Sequence, residues 1–400
     1  MNGVRDFLLN DEDRAFRAEV RHFLGRELEP RARAIEVDED WEAVKAAVRA
    51  LGQSGYLSLM FPDLYRGELT DPGLTHATLL SEEAASVNYA FETTIATALS
   101  CAFSLHRHAD AALQERYLAH IVDGREIGAI CVTEPEAGSD TSAMHTRIEY
   151  DAQRDEWSIN GFKRYISNAS VADVYIVYGI SDPDVPAQRG MSAVVVPAGT
   201  AGLSFPRSYH LVGRRGCKVG EVEFRDCRVP GDHLLGERDK GFRIMLGMFN
   251  FERTLVGGAG LGVARSAFEL ARGHAQRRVA YGSKLGSKQL IWDKVVDMSW
   301  RIDAAELLTY RAAKLYDAGA LTGKELVKPA SMAKLVATQT ANVCADHAVQ
   351  ILGGDGLTKE FGRVEQIYRD ARALTIVGGT TEMMRYLIAS ADLPELKPDL

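Results

Sequence analysis

The stretch Cys131-Val-Thr-Glu-Pro-Glu-Ala-Gly-Ser-Asp140 gathers hydroxyls at Thr133, Ser139 and Thr141 around a loop, with free N–H groups on either side of Gly138. Pro135 keeps its predecessor extended, and Gly138 opens backbone conformations closed to other residues. Such a turn donates several hydrogen bonds to an electron-rich ligand without a full positive charge. Further on, Asn160-Gly-Phe-Lys-Arg-Tyr-Ile-Ser-Asn168 reads as strand, Asn-Gly turn and strand. Strand alternation then puts Tyr165 and Ser167 on one face. An aromatic plate beside a hydroxyl donor suits a flat heterocycle whose ring nitrogen needs a partner.

Several packed elements must position these strings, because 400 residues exceed what one core usually organises. Up to Gly124 the pattern is helical. Phe16, Val20, Phe23 and Leu24 repeat at helix spacing, Pro30 ends that element, and Trp41, Val44 and Val48 begin another. From Leu74 to Val122 neither Gly nor Pro interrupts. Between Arg125 and about Leu235 the period becomes two, in short runs such as Val174–Tyr178 and Ala193–Val196. Long helical patterns return over 242–277, 287–317 and 324–351. The expectation is an α+β chain in three parts. An N-terminal α-helical domain (1–124) precedes a small, mostly antiparallel β domain (125–235) and a C-terminal four-helix-type bundle (236–400). Gly257, Gly258, Gly260 and Gly262 do not match G-x-G-x-x-G and follow a helical pattern. They read as points of close helix approach, not as a dinucleotide site.

A formal charge of −8 gives no footprint for nucleic acid, and no apolar run has the length of a membrane span. The first residues, Met1 to Asp6, lack the layout of a signal peptide. Cys101, Cys131, Cys217, Cys227 and Cys344 are odd in number and never in Cys-x-x-Cys spacing, which fits a reducing cytoplasm. No histidine pair has i, i+4 spacing, so no metal site is expected.

The two strings, in this order and with Gln350-Ile-Leu-Gly353-Gly354-Asp-Gly356 and Ile376-Val-Gly378-Gly-Thr380-Thr-Glu382 after them, resemble the acyl-CoA dehydrogenase family. Its members are flavoproteins that desaturate acyl thioesters between Cα and Cβ. The resemblance covers nearly the whole chain. It implies the family fold, bound FAD, an acyl thioester substrate (acyl-CoA to trans-2-enoyl-CoA) in fatty or branched acyl metabolism, and an electron-transfer flavoprotein as acceptor. The reaction needs a base for the α-proton, a flavin for the β-hydride, and hydrogen bonds that stabilise the developing enolate.

In most members the base is a glutamate directly before the Gly-Thr of the last motif, where this chain has Gly378. Isovaleryl- and long-chain-type members carry it on the helix that opens the C-terminal domain. Here that point reads Phe249-Asn-Phe-Glu252-Arg253. Met248, Phe249, Phe251 and Leu255 would desolvate Glu252 and raise it above the reference of ~4.3. Without the resemblance, Glu252 beside Arg253 reads as an ordinary helix-surface pair.

By motif, Cys131, Thr133, Gly138, Ser139, Tyr165 and Ser167 would face the flavin. Tyr165 stands where tryptophan is common and Ser167 where threonine is. Arg278, Tyr281, Gln289, Gln350, Gly353, Gly354, Thr380 and Glu382 match the remaining FAD segments, which in the family cross a subunit boundary; a homotetramer follows. Arg278 also reads as a solvated arginine, and the glycines as helix caps. Ser139, Arg253 and Gly378 would meet the substrate. The helix face with Glu92, Thr93, Ala96 and Thr97 would floor the acyl pocket, unless Glu92 turns to solvent or pairs with Arg107. Rival readings are a carrier-protein-tethered substrate, a flavin oxidase or monooxygenase on this fold, and a catalytically silent subunit.

Overall fold

The computed structural model describes residues 8–65, 67–321 and 323–395, so the Met1–Asp6 reading lies outside it. Helix α1 (Asp11–Glu27) starts at a capping box in which the side chains of Asn10 and Asp13 each accept the other's backbone N–H. It ends before Pro30, which instead sits in the first turn of the short helix Glu29–Arg33, where its missing N–H is no loss. Helix α2 (Trp41–Gln53) is capped by Asp40. The uninterrupted stretch after Leu74 is broken without Gly or Pro. Asn88 turns extended between α3 (Leu74–Val87) and α4 (Tyr89–His108), and its side chain accepts from the Phe91 N–H. From Tyr89 to Leu105 only Thr97 is less than buried.

The middle of the chain is a seven-stranded curled sheet ordered β1-β4-β2-β3-β7-β6, with β5 also on β4. Strands β1 (Gly128–Cys131) and β4 (Val174–Ile180) run parallel, and β2 (Arg147–Asp151) touches β4 in parallel at one pair. Antiparallel pairing joins β5 (Met191–Pro197) to β4, β2 to β3 (Glu156–Ser167), and β7 (Val219–Pro230) to both β3 and β6 (Leu203–Ser204). Asn160-Gly161 is not a turn: β3 runs straight through it with a shift of register. Glycine is needed there because a Cβ would stand 2.3 Å from Thr146 Oγ1.

The last part packs α5 (Gly241–Arg277), α6 (Gln289–Asp317), α7 (Val327–Leu352), α8 (Val364–Leu374) and α9 (Thr381–Asp392). The glycines of α5 do admit neighbouring backbones. A Cβ on Gly262 would lie 2.1 Å from the Glu82 carbonyl of α3, and one on Gly260 2.9 Å from Ala337 of α7. Across the same seam Arg17 and Arg265 meet the buried carboxylates of Glu82, Glu83 and Glu306. Helix α5 is thereby fixed against both neighbours, and it carries Glu252.

Candidate active site

The loop after β1 is built on a buried ion pair that the sequence reading did not single out. Lys163, on β3, donates to the Val132 carbonyl at 3.0 Å and to Glu134 Oε1 at 2.8 Å. Glu134 in turn accepts from the His145 and Thr146 N–H groups. Lys163 lowers the Glu134 carboxyl against the opposing effect of burial, which is the largest single influence. The Arg164 N–H donates to the Thr133 carbonyl at 2.8 Å, which brings the two motif strings side by side. Simple alternation does not place Tyr165, since the register shifts between Lys163 and Ile166 and Tyr165 has φ +57°. Its ring projects outward, 5.1 Å from Tyr209 and with the Arg164 guanidinium 4.8 Å from its centroid.

Two expectations for this loop need correction. Cys131 cannot offer its side chain to a cofactor: it is buried in the sheet core, where burial pushes the thiol up to about 12. Gly138 is not held in a left-handed conformation, and a Cβ there would meet nothing within 4 Å. Its bare backbone faces outward beside exposed Ser139, so the glycine leaves room for something to approach and relieves no strain.

Glu252 lies on α5 one residue past Phe251, whose ring stacks on Phe103 of α4 at 4.5 Å. Burial raises its carboxyl above the ordinary value, and Arg253 and Lys334 oppose the rise. A Cβ built on Gly378 would stand 3.8 Å from Glu252 Oε1, so the glycine turn faces the carboxylate. Gly378 has φ +64° and Gly379 φ +96°, backbone that favours glycine. Arg253 is buried over the Phe249 ring and reaches the Gly378 carbonyl at 3.4 Å.

Glu92 is buried, at 2% exposure, and neither solvent nor Arg107 receives it. Arg107 lies over Phe103 and donates to the Tyr316 hydroxyl. The partner of Glu92 is Ser81 Oγ, 2.5 Å from Oε1 and 2.9 Å from the carbonyl of Leu255, one turn beyond Glu252. Burial lifts Glu92 to about 8, with Ser81 and Arg214 opposing and Glu252 adding to the rise. Ala96 is buried on the same face.

The other predicted cofactor residues form a second group. Arg278 follows the end of α5, Tyr281 is 99% exposed in a two-residue-stranded hairpin, and Gln289 opens α6. Burial lowers His274, near the end of α5, with Asp355 of the Gly353-Gly354 turn opposing and Arg278 adding to the fall. Gln350, Gly353 and Gly354 are exposed there, and Gly353 is the C-cap of α7, as the capping reading has it. Thr380 caps α9 through its hydroxyl, and Glu382 is exposed in the first turn. Among the described residues, no hydrogen bond joins this group to the Thr133–Tyr165 group.

Sequence profiles of the acyl-CoA dehydrogenase N-terminal, middle and C-terminal domains match residues 10–125, 129–227 and 239–392. The chain belongs to the acyl-CoA dehydrogenase family. It is 31% identical to a glutaryl-CoA dehydrogenase of Desulfococcus multivorans, covering 96% of this chain and 97% of that protein. It is 34% identical to a cyclohex-1-ene-1-carbonyl-CoA dehydrogenase of Geobacter metallireducens, over 96% and 98%. The solved structure of butyryl-CoA dehydrogenase from Megasphaera elsdenii superposes with a TM-score of 0.90 at 30% identity, over 97% of this chain and all of that one.

As an acyl-CoA dehydrogenase the chain is an oxidoreductase of a flavin-dependent family, and its residues fit the flavin. The Gly138 backbone is open, Ser139 is exposed, and Gly282, Gly353 and Gly354 also have nothing near a Cβ. Sequence reasoning missed Lys334, Ser81 and Arg214. Lys334 had a signal: it shares a helical face with Ala330, Ala337 and Ala341, where a charge must be buried if the helix packs.

Proposed function

We propose that this acyl-CoA dehydrogenase desaturates an acyl thioester between Cα and Cβ, with Glu252 as the base. The observation that carries the reading is the Glu252 carboxylate standing opposite Gly378, at the position where a side chain on that residue would otherwise reach. Bound FAD supplies the hydride acceptor. Glu252 takes the α-proton, and its raised pKa makes the ionised form a stronger base near neutral pH. The Gly378 N–H donates to the thioester oxygen, where enolate charge develops. Arg253 and Ser139 line the substrate's path. Thr133, Ser139 and the Gly138 backbone hold the flavin side of the loop, with the Tyr165 ring and Ser167 hydroxyl against the ring system.

Arg278, Tyr281, Gln289, Gln350, Gly353 and Gly354 serve the FAD of a neighbouring copy in a homotetramer, and the lack of hydrogen bonds between them and the Thr133–Tyr165 group among the described residues supports this; Thr380 and Glu382, which follow the Gly378 turn, also serve FAD. The three domains divide near 124 and 235. The acyl group ends against Glu92 and Ala96, where a small residue leaves room for a branch or ring and a buried carboxyl favours a polar substituent. CoA carries the acyl group, an electron-transfer flavoprotein takes the electrons, and the reduced, buried cysteines fit the cytoplasm. The test is anaerobic dye reduction across acyl-CoAs of varied length, branching and polarity, with wild type and Glu252→Gln. Turnover that survives in Glu252→Gln removes Glu252 as the base.

A further inference from the structure

We infer that Lys334 is a positioning residue of this reaction: from a buried seat on α7 its ammonium holds the Gly379 carbonyl and so fixes the glycine turn that faces the base. The inference rests on reading Glu252 as the base and Gly378 as the donor to the thioester.

Gly378-Gly379 is the most pliable pair of residues a chain can place at a reacting centre, and fixing it costs more backbone entropy than any other pair would. With glycine at 378, no side chain anchors the turn from within. The anchors come from outside. Arg253 Nε donates to the Gly378 carbonyl at 3.4 Å, and Lys334 Nζ donates to the Gly379 carbonyl at 2.6 Å. Thr380 Oγ1 then accepts from the Met383 N–H and ties the turn to α9. Because a peptide unit is planar, holding the Gly378 and Gly379 carbonyls sets the directions of the Gly379 and Thr380 N–H groups, and the turn so fixed carries Gly378 with it. The shorter and more direct of the two clamps is the lysine.

Lys334 is fully buried and donates to the Gly379 carbonyl, and the carboxylates that act on it, Glu252 and Glu382, do so through space. A buried ammonium whose recorded partner is one carbonyl is a poor way to stabilise a helix pair, since desolvating the charge is costly. Its place beneath the turn gives it a use. The charged groups around it are Arg253 and Glu252 from α5 and Glu382 from α9. Burial, then Arg253, lowers its ammonium to about 8, while Glu252 and Glu382 oppose the fall. Above that pH the uncharged amine holds the Gly379 carbonyl more weakly, because a charged donor makes the stronger hydrogen bond, so the turn loosens as the lysine deprotonates.

The experiment compares FAD-loaded wild type, Lys334→Met and Lys334→Arg by anaerobic single-turnover flavin reduction with the acyl-CoA that wild type oxidises fastest. Rates are taken across pH, with substrate affinity and FAD content measured in parallel. Lys334→Met is expected to lower the limiting reduction rate on the order of 10²-fold with affinity little changed, the penalty of a loosened reacting geometry. Lys334→Arg is expected to keep most of the rate at neutral pH and to lack the alkaline fall that wild type shows near about pH 8, because arginine does not titrate there. Wild-type rates in Lys334→Met, or an unchanged alkaline fall in Lys334→Arg, overturn the inference. If Lys334→Met fails to hold FAD, the Lys334→Arg pH profile alone decides. A wild type that no acyl thioester reduces removes the underlying reading, and the role of Lys334 falls with it; that result is distinct from active wild type with indifferent variants.

Discussion

Gly378 and Glu252 face each other so closely that a Cβ on the glycine would stand 3.8 Å from Glu252 Oε1, with Val256 Cγ2 at 3.7 Å beside it. Both distances are ordinary van der Waals contact. A carboxylate could therefore reach the same point in space from either residue, from the long helix or from the glycine turn.

Glu252→Gln should keep FAD and substrate binding and lose flavin reduction by about 10²–10⁴-fold, the usual worth of a general base. Adding Gly378→Glu to that variant should restore part of the rate. The space is there, but φ +64° disfavours a side chain by about 1–2 kcal/mol, so recovery stays incomplete. In wild type the rate should fall as pH drops through the raised Glu252 pKa, because only the ionised form accepts the proton. Stopped-flow flavin absorbance reads all three.

Helix packing gives a separate test. Gly262→Ala would set a methyl 2.1 Å from the Glu82 carbonyl, a backbone atom that cannot swing aside. It should cost about 1–3 kcal/mol or more by overpacking. Gly138→Ala meets nothing within 4 Å and should melt like wild type while binding FAD more weakly. Thermal melts with and without added FAD separate the two; equal melting of Gly262→Ala and wild type would contradict the packing.

The long helices and the period-two middle were legible because each has one periodic apolar pattern over many residues. What misled was local chemistry overridden by tertiary contact. Asn160-Gly161 has the composition of a hairpin turn, yet its glycine serves the close approach of Thr146 in a continuous strand. Glu92 was hard to place because α4 was taken to have a solvent side. Over Tyr89–Leu105 it is the single charged residue, and a helix apolar all round is a buried one. Both base positions could be read from the motifs. Their convergence could not, because it depends on how α5 meets a turn more than a hundred residues away in sequence.

Assembly should be visible in the exposed apolar residues. Tyr281 is 99% and Leu290 79% exposed, with Trp292, Val296 and Trp300 further along the same helix as Leu290. Such a surface fits burial by a second copy. Leu290→Glu should shift light scattering toward smaller species and lower FAD retention together. A smaller species that keeps its flavin would separate assembly from cofactor binding and refute the shared site.

Glu92 makes a prediction in stability as well as in specificity. Its carboxyl is raised to about 8 in the folded chain, above its value when unfolded, so the folded state binds the extra proton through the interval between them. Stability from this group is therefore present at low pH and lost as pH rises toward about 8. Glu36, lifted to about 7 mainly by burial, tilts wild type the same way, so the informative quantity is the difference between wild type and Glu92→Gln. The glutamine keeps the bond with Ser81 and cannot ionise. The variant should match wild type in mildly acidic buffer and melt higher in mildly alkaline buffer. With acyl-CoA panels, Glu92→Gln should alter the preference between polar and plain acyl groups, and Ala96→Phe should shorten the accepted chain. Unchanged profiles in both would take this helix out of the acyl pocket, whereas the stability difference would stand by itself, since it depends only on the burial of the carboxyl.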